Sequence, residues 1–239
     1  MKHSFMKIQC ARRQVTSDEK NRACPRHSSL VNRHAFTLIE LLVVIAVMAL
    51  IAAMIFPVTG SIKRRQYLST ASAELEQIKT ALDNYKNQYG VYPPANPSNP
   101  VLNPLYYELT GVTNVAANYR TLDNAATIAV TTYNNTFNVG GAINCAKPGG
   151  DAEAAKATSF LPSLKPNRIG TTAAGINVLI TSMRGPDAAY MPLNVPDVNP
   201  FRYAYPGTNN PNAYDLWIDL RISGKTNRIC NWKNTPFTL

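Results

Sequence analysis

The sequence predicts an α+β protein in which a long N-terminal helix packs, along its second half, on a small antiparallel β-sheet head. The first half of the helix is predicted by an apolar run, since all sixteen residues from Leu41 to Phe56 are apolar. The second half is predicted by apolar residues spaced three and four apart from Leu68 to Tyr89, which is the period of an amphipathic helix. Short alternating segments near the C-terminus predict the sheet.

The apolar segment, residues 36–58, contains a single charged residue, Glu40. A helix of about 20 apolar residues is long enough to cross a bilayer, so we expect residues 36–58 to form a transmembrane helix. A carboxylate near the end of such a segment costs on the order of 1–3 kcal/mol against lipid, so Glu40 should have a cationic partner. The alternative is an ordinary membrane anchor in which Glu40 extends to the interface.

Residues 59–90 are expected to form the amphipathic half of the same helix, with Gly90 at its end. Pro57 and Gly60 predict a kink or local unwinding between the two halves. We expect the head to pack on the apolar stripe of this half, and a homomeric coiled coil is the alternative. The stripe consists of Leu68, Ala71, Leu75, Ile78, Leu82, Tyr85 and Tyr89.

Residues 1–35 are predicted to be a cytoplasmic leader. They carry eight of the 24 Lys and Arg residues and two of the 14 acidic residues, so their net charge of +6 exceeds half of the total of +10. Basic segments that flank an apolar helix stay on the cytoplasmic side. Translation starts at either Met1 or Met6. Beyond the leader the only basic cluster is Lys63-Arg64-Arg65, so no nucleic-acid partner is expected.

No catalytic motif is apparent in the chain. All three histidines lie in the leader, and there is no Gly-rich phosphate loop, paired-carboxylate signature or Gly-x-Ser-x-Gly sequence. We therefore expect a protein that is not an enzyme.

The C-terminal part of the head, about residues 200–233, is predicted to be an antiparallel meander. Three alternating segments are separated by turn residues at Asn209-Asn210-Pro211 and Ser223-Gly224-Lys225. The predicted strands are Phe201–Tyr205, Tyr214–Leu220 and Arg228–Trp232.

The sequence Phe36-Thr37-Leu38-Ile39-Glu40, followed by the apolar helix, resembles the start of mature type IV pilins and of the pseudopilins of type II secretion systems. The resemblance implies that a prepilin peptidase cleaves between Ala35 and Phe36, where the family usually has Gly in place of Ala35. It also implies that the new amino terminus is N-methylated and that Glu40 pairs with the amine of a neighbouring subunit. Cleavage creates an ammonium at Phe36, which is a suitable counter-ion for a buried carboxylate.

Two further segments resemble pseudopilins: the Tyr89-Gly90-Val91-Tyr92-Pro93 turn that ends the helix, and the C-terminal strands. The resemblance favours a structural subunit of a type II secretion pseudopilus. It implies as partners the prepilin peptidase, other copies of the chain, related pseudopilins and an inner-membrane assembly platform. It also implies a single-pass protein of the bacterial inner membrane, with a periplasmic head and a fibre in the periplasm or at the cell surface.

The head, residues 91–239, looks enlarged over residues 112–198 when it is compared with major pseudopilins. This middle region either makes partner-specific contacts or is a set of loops without function. The alternatives to a pseudopilin are therefore a minor subunit of a type IV pilus and a membrane-anchored protein that captures a ligand such as a polysaccharide. In and near this region the sequence predicts a helix over Leu105–Leu109, a strand over Thr127–Thr132, a helix over Asp151–Ala157, and a strand or helix over Ile176–Ile180.

Calcium is a possible cofactor by resemblance only, since the family often binds it through several carboxylates before the last strand. The chain offers Asp215 and Asp219 there, with Ser223, Thr226 and Asn227 nearby. Calcium takes 6–8 oxygen ligands, so we expect no cofactor, and only a weak calcium site completed by backbone carbonyls remains open.

Of the four cysteines, Cys10 and Cys24 lie in the leader and should stay reduced. Cys145 and Cys230 would lie outside the cytoplasm, where they form either a disulfide or two buried thiols. A disulfide closing a loop of this length would stabilise the fold by at most about 4–5 kcal/mol.

Overall fold

The protein is described by a computed structural model that covers residues 37–55, 59–146, 156–183 and 187–239. Most of the helices precede the strands along it, and the strands pair mostly antiparallel, which confirms the α+β class. The chain divides into two compact units, with the division after Ile51. The first unit contains most of the first helix, and the second contains the head.

The first helix, α1, spans Leu38–Ile55. Its large apolar side chains from Leu38 to Ile51 are exposed, at fractions between 45% and 81%. The predicted kink at Pro57 lies outside the described residues.

Within the described ranges, no helix combines the length and the apolar character that a membrane-crossing segment requires.

The second helix, α2, spans Thr59–Tyr89 and is the element on which the head packs. Five residues of the predicted stripe, Ala71, Leu75, Ile78, Leu82 and Tyr85, are at most 1% exposed. Leu68 and Tyr89 are partly buried against the same core. The helix ends at Gly90, which has a positive φ of 76° and donates its N–H to the carbonyl of Lys86 at 2.8 Å. The expectation that the stripe packs against the head is confirmed.

A helix over Leu105–Thr110 precedes the middle region and confirms the prediction around Leu105. The middle region begins with a four-stranded sheet in which one pair of neighbouring strands is parallel and the other two pairs are antiparallel. The predicted strand over Thr127–Thr132 is confirmed for its first three residues. Its last three residues are helical instead, because Tyr133 and Phe137, which are one helical turn apart, are both buried. The elements are α3 Leu105–Thr110, β1 Val112–Val115, β2 Asn118–Thr121, β3 Thr127–Ala129, α4 Val130–Phe137 and β4 Cys145–Ala146.

A second part of the middle region is a two-stranded hairpin of β5 Ile169–Thr171 and β6 Asn177–Leu179. It is preceded by a 3-10 turn at Pro166–Arg168. The segment Ile176–Ile180, which was predicted to be either a strand or a helix, therefore contains a strand. Most of the predicted helix over Asp151–Ala157 lies outside the described residues, and Lys156 and Ala157 are not helical.

The C-terminal sheet is antiparallel throughout, with strand order β10-β9-β8-β7. Leu216, Ile218 and Leu220 are fully buried in the core that also contains the α2 stripe. The predicted meander is confirmed, but the fourth strand was not predicted, because its residues are mostly exposed and include Pro236. The strands are β7 Arg202–Ala204, β8 Asp215–Ile222, β9 Lys225–Cys230 and β10 Lys233–Thr238.

Candidate assembly site at the start of the first helix

Thr37 and Glu40 form a reciprocal pair at the start of α1. The N–H of Thr37 donates to Glu40 Oε2 at 2.9 Å, and the Thr37 hydroxyl donates to the same atom at 2.8 Å. In return the N–H of Glu40 donates to Thr37 Oγ1 at 3.3 Å. This is a capping box, which satisfies backbone N–H groups that the first turn of a helix leaves without partners. The sequence signal for it is the Thr at position 37 followed three residues later by Glu40.

The capping box leaves half of the Glu40 carboxylate available. All the bonds it makes use Oε2, and no described residue donates to Oε1. The carboxylate is also exposed. One oxygen can therefore hold the helix start in place while the other meets a cation from outside the helix.

The surface around Glu40 is apolar on all sides of α1. Leu38, Ile39 and Leu41, the neighbours of Glu40, are 81%, 69% and 61% exposed. A helix that is apolar around its whole circumference is stable only when it is buried, in a membrane or among other apolar helices. An exposed apolar surface of this extent marks an interaction site. The start of α1 thus combines an anion with a surface that requires partners.

The predicted processing residues, Ala35 and Phe36, lie outside the described residues. The structure therefore describes only Glu40 of the predicted assembly pair, and the pairing of Phe36 with Glu40 stays a prediction.

The predicted disulfide between Cys145 and Cys230 stays a prediction. The two residues belong to different sheets. Cys145 is half-buried in β4, which pairs with β1, whereas Cys230 is buried at the end of β9.

The two carboxylates proposed for calcium already have protein partners. Asp215 accepts hydrogen bonds from the backbone N–H groups of Asn209 and Asn210, at 2.8 and 3.0 Å. Asp219 accepts two from Arg228, at 2.7 and 2.9 Å, and this bond raises the pKa of Arg228. Among the described residues, no three His, Cys, Asp or Glu side chains are grouped closely enough to hold a metal ion. Asp215 thus holds the loop before β8, and Asp219 links β8 to β9.

Sequence reasoning missed Glu108, which is completely buried in the head. Its carboxylate accepts hydrogen bonds from the hydroxyls of Tyr85 and Tyr133, at 2.7 and 2.9 Å, and from the N–H groups of Ile143 and Asn144, both at 3.1 Å. Burial raises the pKa of Glu108, and the hydrogen bonds oppose that shift in part. The signal available in the sequence was a lone acid inside an apolar helix. Its role is to join α2, α3, α4 and the segment before β4.

Comparison with known proteins gives one finding on the N-terminal region. A family model described as the prokaryotic N-terminal methylation motif matches residues 30–56. No curated protein and no solved structure matches the chain. The matched range contains the capping box and all of α1, and such a motif implies processing by a prepilin peptidase and pilin-like assembly. The chain therefore carries the N-terminal signature of type IV pilins and pseudopilins.

Proposed function

We propose that the chain is a structural, non-catalytic subunit of a type II secretion pseudopilus. It is made as a precursor in the bacterial inner membrane, with the leader in the cytoplasm and the head in the periplasm. A prepilin peptidase removes residues 1–35, and Phe36 becomes the methylated amino terminus. The apolar segment holds the subunit in the membrane and then packs with the same segment of other subunits in the fibre.

The observation that carries this proposal is that Oε1 of Glu40 accepts no hydrogen bond from a described residue, on an otherwise apolar, exposed helix. A charge in such a surface becomes stable in an assembly only when an opposite charge meets it there. The ammonium created at Phe36 by cleavage is that charge, and it lies on the neighbouring subunit. The capping box supports the same proposal, because it fixes the carboxylate at the end of the helix where the amine arrives.

A mass measurement on the N-terminal peptide of the mature protein tests the processing step. We expect a peptide that begins at methylated Phe36 in cells with active prepilin peptidase, and an uncleaved precursor in cells that lack the enzyme. The Ala35→Gly variant is the matched control and should give the same terminus. An intact leader in the presence of the peptidase would contradict the proposal.

A second candidate function, ligand capture by an anchored head, is favoured by one observation. A groove of about 680 Å³ runs between α2 and residues 160–168, with Ala73, Leu164 and Arg168 among its lining residues. This volume is within the usual range for a ligand site. The two candidates differ in their dependence on Glu40. Replacing Glu40 by Gln prevents fibre formation under the first, whereas ligand capture by an anchored head does not depend on Glu40.

A further inference from the structure

Four basic side chains are clustered at one end of the head. Lys63, Arg64 and Arg65 lie in the early turns of α2, and Lys225 is the first residue of β9. All four are exposed. We refer to these four residues as the basic collar.

A hydrogen bond fixes the two parts of the basic collar beside each other. Arg64 Nη2 donates at 2.8 Å to Oδ1 of Asn227, a residue 163 positions away. Asn227 is buried, and its side-chain amide donates to the carbonyl of Lys225 at 3.1 Å. The turn between β8 and β9 is therefore held against the early part of α2, which brings Lys225 to the same end of the head as the three basic residues of the helix.

None of the four cations forms an ion pair with a carboxylate of the described residues. Other cations of the head do, as in the pairs Arg228–Asp219 and Lys79–Glu76. The sequence also contains no acidic residue between Glu40 and Glu74. The collar thus presents a positive charge that the described part of the chain does not neutralise with an ion pair.

The collar is close in sequence to the apolar segment. Lys63 follows Phe56 by seven residues, which span at most about 25 Å even when fully extended. Basic residues on this side of the membrane act against the orientation set by the leader. Their presence therefore needs a reason beyond solubility.

We propose that the basic collar binds the headgroups of anionic phospholipids in the leaflet that faces the head. The inference rests on the proposed insertion of the apolar segment into the membrane. Arg and Lys form charge-assisted hydrogen bonds with phosphate oxygens, and each basic residue near an anionic surface adds to the attraction. The bound lipids hold the head against the membrane until the subunit leaves for the fibre.

The test uses the full-length mature protein in bilayers and compares its affinity for spin-labelled phosphatidylglycerol with that for spin-labelled phosphatidylcholine. Both lipids carry a phosphate, but only the first has a net charge. We expect a preference for phosphatidylglycerol of more than about twofold, which 1 M salt abolishes because the screening length falls to about 3 Å.

The test variant combines Lys63→Gln, Arg65→Gln and Lys225→Gln, and it keeps Arg64 with its bond to Asn227. The matched control combines Arg120→Gln, Lys156→Gln and Lys165→Gln, which remove the same charge from exposed positions outside the collar. We expect the test variant to lose the preference and the control variant to keep it.

Three results would overturn the inference: no lipid preference in the unmodified protein, a preference that survives in the test variant, or an equal loss in both variants. A test variant that keeps the lipid preference but fails to form fibres would indicate that the collar binds carboxylates of a neighbouring subunit and not lipid headgroups. If the apolar segment does not insert at all, neither labelled lipid becomes immobilised, so failure of the proposed function is distinguishable from failure of the collar.

Discussion

The first helix and the head differ in how their acidic side chains are bonded and in where their apolar side chains point. In α1 the only acid, Glu40, is bonded to Thr37 three residues away, and the apolar side chains point outward. In the head the buried acid Glu108 is bonded to residues 23 to 36 positions away, and the apolar side chains point inward. The described part of the head has a hydrophobic core of its own, whereas the described apolar side chains of α1 are exposed. The difference indicates that α1 buries its apolar side chains only on assembly, whereas the head buries its own on folding.

The largest effect is expected from replacing Glu108 by Leu. The change removes the acceptor of two buried tyrosine hydroxyls, of the buried N–H of Asn144 and of the half-buried N–H of Ile143, at about 1–3 kcal/mol for each buried group. We expect the free energy of unfolding of the head to fall by about 4 kcal/mol or more in urea titrations. Fluorescence of Trp217 and Trp232 reports on the head alone, because the chain has no other tryptophan.

The Glu108→Gln variant is the control for that experiment. It keeps an acceptor of similar shape and should be clearly more stable than Glu108→Leu. Equal stability of the two variants would show that the hydrogen bonds to Glu108 do not hold the head together.

A leucine-to-alanine substitution is expected to have different effects on stability in the head and in α1. Leu82 is fully buried, so Leu82→Ala should lower the free energy of unfolding of the head by about 2–5 kcal/mol. Leu42 is 53% exposed, so Leu42→Ala should leave head unfolding unchanged within about 0.5 kcal/mol. Similar losses for both variants in urea titrations would mean that α1 and the head share one core.

Replacing Thr37 by Ala should weaken the start of α1 alone. Loss of a threonine N-cap costs about 1 kcal/mol, so hydrogen exchange of the Glu40 amide should accelerate roughly fivefold. Thr37→Ser keeps the hydroxyl and should preserve the slow exchange. An unchanged exchange rate of the Glu40 amide in Thr37→Ala would show that the capping box does not stabilise the start of α1.

The smallest effect expected is a pH dependence of head stability. The pKa of Glu108 is raised by burial above its ordinary value of 4.5, so the folded head holds this proton more tightly than the unfolded chain. Its contribution is therefore most favourable below pH 4.5 and declines as the pH rises from there through the folded-state pKa. The difference in stability between the unmodified protein and Glu108→Gln should shift in that direction. A shift in the opposite direction would mean that the hydrogen bonds outweigh burial.

The sequence was sufficient where the signal is local and periodic. The stripe from Leu68 to Tyr89 predicted the buried face of α2, and alternation predicted β8. It was insufficient where a contact between distant segments decides the structure. The residues of α4 have high strand propensity, but Tyr133 is held in a helix by its bond to Glu108 and by ring packing on Tyr107.

The predicted site shows the same division. The position of Glu40 in its apolar segment was evident from the sequence, and so was the Thr-x-x-Glu pattern that proved to be a capping box. The relation of Cys145 to Cys230 was not evident, because it depends on which sheet each strand joins. The strand β10 was also missed, since an exposed edge strand that contains Pro236 has no apolar alternation to detect.

The central claim is that the charge of Glu40, and not its capping bond, drives assembly. Glutamine at this position keeps the capping box but removes the charge, whereas Thr37→Ala removes the cap and keeps the charge. Cross-linking of subunits in cells should show a loss of fibre of about 100-fold or more in Glu40→Gln. The reason is that the ammonium at Phe36 of the neighbouring subunit would then be buried without a counter-ion, which costs about 3–5 kcal/mol. Leader removal should stay normal in both variants, and Thr37→Ala should still assemble. Fibres of Glu40→Gln at the level of the unmodified protein would contradict the account.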